Sequence, residues 1–184
     1  LGYAALGAVL GELGVTLPHE HFLIDLRTYA EGEESAKTVV QRQKFDSEVT
    51  MENLWWMQYG RKPDWRSRDR YLLDDVDAAV EEAERFVAEG GGTVVDVTPM
   101  TPAVGRDPEA LVHIARRTGL NVVAGTGHYI EQTHPDVVDE QSAEEIAAEI
   151  VTEVTEGIDG TGIRAGVIGE IGATEGVAER ENEL

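Results

Sequence analysis

In the segment TLPHEHFLID, residues 16–25, two histidines stand one residue apart at the head of an apolar run. Along an extended strand side chains alternate between faces, so His19 and His21 project to one side and Glu20 to the other. Two imidazoles aimed at one spot form a nitrogen donor pair for zinc or a similar divalent metal. The same spacing also serves to finish a strand with hydrogen-bonded polar side chains. A distant carboxylate bears on the choice. Glu170 stands inside the apolar string VIGEIG, where an ionised group needs a cation or a hydrogen-bonding partner to offset its desolvation. A metal shared with His19 and His21 supplies one; a helix N-terminus or an arginine is the alternative.

The elements that must position these groups alternate along the chain. DDVDAAVEEAERFVAEGGG places Val76, Ala79, Val80, Ala83, Phe86 and Val87 on one helical stripe, opens with carboxylates suited to the helix dipole, and stops at glycine. TVVDV, residues 93–97, is a β-branched run of the kind buried in parallel sheets. RDPEALVHIARRTG follows, with Asp107 as N-cap, Pro108 at the first helical position and Gly119 as terminator. NVVAGTG reads as a third strand. SAEEIAAEIVTEVTEG carries a capping box, Ser142 with Glu145, before IRAGVIGEIG as a fourth strand. Strict alternation of strand and helix predicts parallel strands with right-handed crossovers, as an open doubly wound sheet or a (β/α)8 barrel. Either architecture keeps its chemistry at the C-terminal ends of the strands. Besides the histidines and Glu170, those ends offer Asp96, Thr98, His128 and Tyr129. For Asp96 a structural role is expected, for His113 a place on a helix surface or in packing, and for His134 a turn before proline.

Between the first strand and the first long helix, residues 27–72 read as a long loop with a short helix from Thr50 to about Tyr59, holding Trp55, Trp56 and Trp65. The 184 residues otherwise read as one domain, with 41% hydrophobic residues to form its core. Thirty-six acidic against fifteen basic residues give a formal charge of −21, which repels phosphate backbones and anionic lipid, so neither nucleic acid nor a membrane is expected as a partner. Only three of the basic residues are lysines, Lys37, Lys44 and Lys62, a balance suited to concentrated salt. No cysteine is present, so any metal is held by nitrogen and oxygen, and a reducing cytoplasm fits. The opening LGYAALGAVLGELG lacks a basic leader and is broken by glycines, unlike a signal peptide or membrane span. EGVAERENEL, at the end, reads as the start of a further helix, and both ends suggest a fragment. Neither G-x-G-x-x-G nor a Walker loop follows the first strand, which removes support for nucleotide binding.

Taken together, LGVTLPHEHFLID, GGGTVVDVTPMTPAVGRDPEALVHIARRTGLNVVAGTGHY and GIRAGVIGEIGATEG resemble the phosphotriesterase family of the amidohydrolase superfamily, including its lactonase and phosphotriesterase-related branches. The resemblance covers nearly the whole chain. It implies a (β/α)8 TIM barrel, here truncated to about strands 1 to 4, with a centre of two divalent metal ions, commonly zinc. His19 and His21 match first-strand ligands. Glu170 matches the bridging ligand of glutamate-type members, where other relatives carry a carboxylated lysine; an ungapped alignment to the lysine type puts Gly169 there. Tyr129 matches an aromatic residue bordering the substrate pocket.

The activity implied is hydrolysis of an ester-type bond, in a lactone, phosphotriester or amide, by a hydroxide bridging metals roughly 3.5 to 4 Å apart. A full barrel needs about 250 residues. The further ligands of relatives, two histidines from strands five and six and an aspartate after strand eight, lie outside these four strands. The chain alone is therefore expected to be weakly active or inactive. The alternative is a non-catalytic, metal-binding half-barrel that assembles with a copy of itself or with a partner chain.

Overall fold

In the computed structural model, residues 13–30, 38–59, 67–99 and 104–173 are described. The glycine-broken opening to residue 12, Trp65, the side chain of Trp56 and the helix expected at 175–184 lie outside them. Two compact units emerge: residues 1–23 with 75–184, and Ile24–Asp74.

The first unit is a parallel half-barrel sheet of four strands, β1 (Val15–Glu20), β4 (Gly91–Asp96), β5 (Asn121–Thr126) and β6 (Val167–Ile168), hydrogen-bonded in that order. Each connection among β4, β5 and β6 runs through a helix, as parallel pairing requires. Helix α3 (Val76–Ala88) precedes β4, α4 (Pro108–Thr118) precedes β5, and α5 (Ala143–Thr155) precedes β6. The caps sit where the sequence places them. Asp107 accepts from Ala110 N–H, Pro108 opens α4, and Gly119 closes it at φ 78°. Ser142 and Glu145 form the reciprocal capping box of α5, and Glu145, taking hydrogen bonds from the Ser142 N–H and hydroxyl, titrates below its ordinary value. Ala79, Val80 and Ala83 of α3 pack with Ala110 and Ile114 of α4, Val94 of β4 and Leu23. Leu111, Ala124, Ile158 and Ala165 make a second cluster further along the sheet. Val87, expected on the buried stripe of α3, is 37% exposed.

Two strands are shorter than the sequence suggests. β1 stops at Glu20 instead of running on through Phe22, Leu23 and Ile24, and its register with β4 shifts between Leu17 and Glu20. Pro18 contributes no ladder N–H in this stretch. Phe22 N–H then leaves the ladder altogether for the Asp96 carboxylate, at 2.7 Å. β6 is confined to Val167–Ile168, so Glu170 lies beyond the strand and not within a buried one; Ile168 and Ile171 around it are more than half exposed.

In the second unit, β2 (Ile24–Asp25) and β3 (Leu72–Leu73) form an antiparallel pair, extended by Leu26 N–H to Tyr71 O at 2.8 Å. Helix α1 (Val39–Phe45) is capped by a Thr38–Gln41 box and buries Phe45. Helix α2 (Leu54–Tyr59) starts four residues later than expected, after a turn in which the Thr50 carbonyl, not its hydroxyl, receives Asn53 and Leu54 N–H. Trp55 on it is 65% exposed.

Asp25 grips Arg27 through two side-chain bonds, 2.9 Å from Nε and 2.6 Å from Nη2, and accepts Arg27 N–H at 3.0 Å. The guanidinium bonds hold the Asp25 carboxyl below its ordinary value of 3.8, against the opposing effect of burial. A lowered folded value adds stability that is present above the ordinary pKa and is lost as pH falls through the folded one. Because both side chains are partly exposed, the contribution is under about 1 kcal/mol. The gap in unfolding free energy between the wild type and Asp25→Asn should hold steady from pH 8 to 5. Below 3.8 it should close, and a gap that instead widens there contradicts the assignment.

Candidate metal centre

His19, His21 and Glu170 meet. His19 Nε2 lies 3.0 Å from Glu170 Oε2, and His21 Nε2 lies 3.5 Å from Oε1, so each carboxylate oxygen faces a different imidazole. One ligand atom from each of the three falls within 4.8 Å of the others, the one such grouping of three or more among the described residues. The imidazole rings stand edge to face, their centroids 5.6 Å apart. His21 and Glu170 are largely covered, while the His19 side chain is 59% exposed, which leaves an open approach on its side.

Local structure fixes the tautomer of His21. Thr98 Oγ1 donates its proton to the Leu23 carbonyl at 3.1 Å, so toward His21 Nδ1, at 3.2 Å, it can only accept. A ring proton therefore sits on Nδ1, and Nε2 is the nitrogen turned to Glu170, where the neutral tautomer offers its lone pair. A neutral imidazole nitrogen and a carboxylate both offer lone pairs, so a cation placed between them complements the pair. Imidazole nitrogen with carboxylate oxygen is a donor set for zinc and related divalent ions, and a ligating imidazole usually donates its other ring N–H to an acceptor, the place the Thr98 hydroxyl takes here. The residues fit a metal.

Asp96 builds the frame beneath. Its side chain is 2% exposed, Oδ2 accepts Phe22 N–H at 2.7 Å, and Oδ1 accepts Thr98 N–H at 3.1 Å. It thus ties the exit of β1 to the end of β4, on either side of the His21–Thr98 contact. Glu170 is held by its own backbone, whose N–H reaches Val97 O at 3.2 Å. Tyr129 does not belong to the three-residue group; its ring lies against the backbone of Gly172, two residues past Glu170. His134 Nε2 is 3.2 Å from the Tyr129 carbonyl, and its ring meets His128 edge to face at 5.7 Å. His113 is exposed on α4. The sequence marks Thr98 only as a strand-end position; its part in orienting His21 depends on the Leu23 carbonyl, which no side-chain pattern announces.

Comparison with known proteins decides the family. The sequence model of the Phosphotriesterase family matches residues 4–184. The chain belongs to the phosphotriesterase family. Within it, the chain is 32% identical over 173 residues to N-acetyltaurine hydrolase of Rattus norvegicus, covering 94% of this chain and 47% of that protein. It is 34% identical over 165 residues to a phosphotriesterase-related protein of Nematostella vectensis, covering 89% and 45%. Among solved structures, it is similar to a resiniferatoxin-binding protein from Rhodobacter sphaeroides, with TM-score 0.81 and 34% identity over 94% of this chain and 46% of that one. The phosphotriesterase homology protein of Escherichia coli, complexed with phosphate in its active site, is similar at TM-score 0.67 and 28% identity, over 94% and 47%. This phosphotriesterase-family chain thus spans about half the length of the relatives it matches.

Thr98→Val keeps shape and volume but removes the acceptor that orients His21. Zinc affinity, read by competition with a chromophoric chelator, should fall about 10- to 100-fold with the far-ultraviolet circular dichroism unchanged. An affinity equal to that of the wild type contradicts the tautomer assignment.

Proposed function

We propose that this chain is the N-terminal half of a cytoplasmic, zinc-dependent hydrolase acting on an ester-type bond in a small molecule, a lactone, phosphotriester or amide. The observation that carries the reading is the convergence of His19 and His21 from β1 with Glu170 from beyond β6. His19 and His21 would hold one metal. Glu170 would be the bridging ligand and catalytic carboxylate, its two oxygens facing different imidazoles. A second divalent ion would need ligands beyond these three residues. Bound metal would supply Lewis acidity toward the carbonyl or phosphoryl oxygen and lower the pKa of water. The chain's own residues divide the remaining tasks. Thr98 keeps a proton on His21 Nδ1, Glu170 sets its carboxyl between the two imidazoles, and Tyr129 borders the substrate. Residues 1–184 form one partial barrel domain, into which 27–72 are inserted after the first strand.

The test uses the 184-residue chain. Dialysed against zinc, it should retain about one equivalent, and it should turn over lactone, phosphotriester and N-acyl amide substrates weakly or not at all. Failure to retain metal contradicts the metal reading, and enzyme-like turnover contradicts the half-site reading.

One observation favours a second reading, a non-catalytic half-barrel completed by a second copy or a partner chain. β1 and β6 both stand at sheet edges, and Val15 and Ile168 on them are 59% and 58% exposed. Size-exclusion chromatography of the zinc-loaded chain tests the self-assembled form of this reading, which requires a metal-bearing oligomer where the first reading expects a metal-bearing monomer.

A further inference from the structure

β1 and β6 are separated in the sheet by β4 and β5. At ordinary strand spacing that places them about 14 Å apart along the sheet. A side chain simply projecting from the end of β6 would not reach His19 and His21. The backbone resolves this by leaving its strand. Gly169 N–H bonds to Thr126 O at the end of β5, at 2.7 Å, and the next amide, Glu170 N–H, bonds to Val97 O beyond the end of β4, at 3.2 Å. In two residues the chain has stepped from β6 across β5 to β4, next to Thr98 and its partner His21.

The step passes over Gly125. A Cβ at position 125 would lie 2.2 Å from Gly169 O, 3.1 Å from Val97 Cα and 3.2 Å from Asp96 O. All three are backbone atoms, so no side-chain rotation makes room. Gly127, two residues on, has φ +140°, and a Cβ there would lie 3.3 Å from Ile171 Cγ1. We infer that Gly125 is the positioning residue of the metal centre: its missing side chain opens the passage through which Glu170 reaches the histidines, and Gly127 lengthens that passage. The inference rests on the metal reading for its consequence but not for its geometry, and the two can fail separately.

Any side chain at 125 lifts Gly169 off β5, which breaks the Glu170 N–H bond to Val97 O and withdraws the carboxylate from His19 and His21. Gly125→Ala should therefore show two changes together. Amide hydrogen exchange at Glu170 should speed up at least tenfold, and zinc affinity should fall at least about tenfold, as expected when a ligand's support is removed. Gly166→Ala is the control in the same seam, because a Cβ there meets the Val123 side chain, Cγ1 at 2.7 Å and Cβ at 3.9 Å, and no backbone atom within 4 Å. It should leave both readouts near wild type, whereas a merely structural effect of crowding β5 would move both variants alike. If Gly125→Ala does not fold, Gly127→Ala is read in its place, against the same control and with the same two changes expected. Unchanged Glu170 exchange in the variant overturns the inference. So does unchanged zinc affinity beside a wild type that binds zinc. If the wild type binds no zinc, the metal reading falls, and the exchange measurement alone still decides whether Gly125 sets the path of Glu170.

Discussion

Glu170→Gln is expected to lower the zinc affinity of the chain by about a hundredfold or more, the largest effect on binding of any single substitution. Changes to groups that merely orient ligands cost 10- to 100-fold, and loss of a ligand charge costs at least as much. Glutamine preserves the shape of the side chain, so the fold and the Glu170 backbone bond to Val97 are retained. What changes is the chemistry between the imidazoles. A carboxylate with one oxygen 3.0 Å from His19 Nε2 and the other 3.5 Å from His21 Nε2 becomes a neutral amide, which presents a single oxygen and an NH2 group. One histidine then faces a donor where it faced a charge. His113→Ala, on the exposed face of α4, serves as the control and should bind zinc as the wild type does. Equal affinities in Glu170→Gln and the wild type would remove Glu170 from the site.

For stability, the largest change is expected from Asp96→Ala, a loss of about 3 to 6 kcal/mol. The side chain is buried, and its two oxygens satisfy the N–H groups of Phe22 and Thr98 at 2.7 and 3.1 Å. Alanine leaves both donors without that acceptor, and each charge-assisted bond of this kind contributes about 1.5 to 3 kcal/mol. A whole domain is stable by only about 5 to 15 kcal/mol, so the variant should unfold at markedly lower urea concentration. Asp77→Ala, an exposed carboxylate in the first turn of α3, removes only a dipole interaction and should cost under about 1 kcal/mol. Similar urea midpoints for the two variants contradict the account of Asp96.

How far the site could be read in advance follows from the kind of signal each part carries. Helix boundaries were legible because caps are local: Asp107, Pro108 and Gly119 each satisfy or terminate a backbone group within four residues of themselves. The parallel order followed from alternation. The three residues that meet were legible as candidates, since H-x-H at the head of an apolar run and a carboxylate inside an apolar string both stand out in the sequence. The way they meet was not. Alternation along one strand does not bring the histidines together, because β1 ends at Glu20 and His21 is held from outside the strand by Thr98. Glu170 is likewise not a buried strand residue; it arrives by a backbone crossing whose bonds run to the Thr126 and Val97 carbonyls. Main-chain acceptors are the same in every residue and leave no mark in a sequence. The Ile24–Asp74 unit was the least legible part, because its short helices and two-residue strands carry too few periodic positions to define a face.

The most direct measurement is zinc K-edge X-ray absorption on the zinc-loaded chain, compared with its His19→Ala and Glu170→Gln variants. The predicted first shell has two imidazole nitrogens and a carboxylate oxygen at about 2.0 to 2.2 Å, with the outer-shell scattering of imidazole reduced in the first variant and the shell disordered in the second. A shell of oxygen alone, with no imidazole signature and no response to either substitution, would contradict the account at its centre.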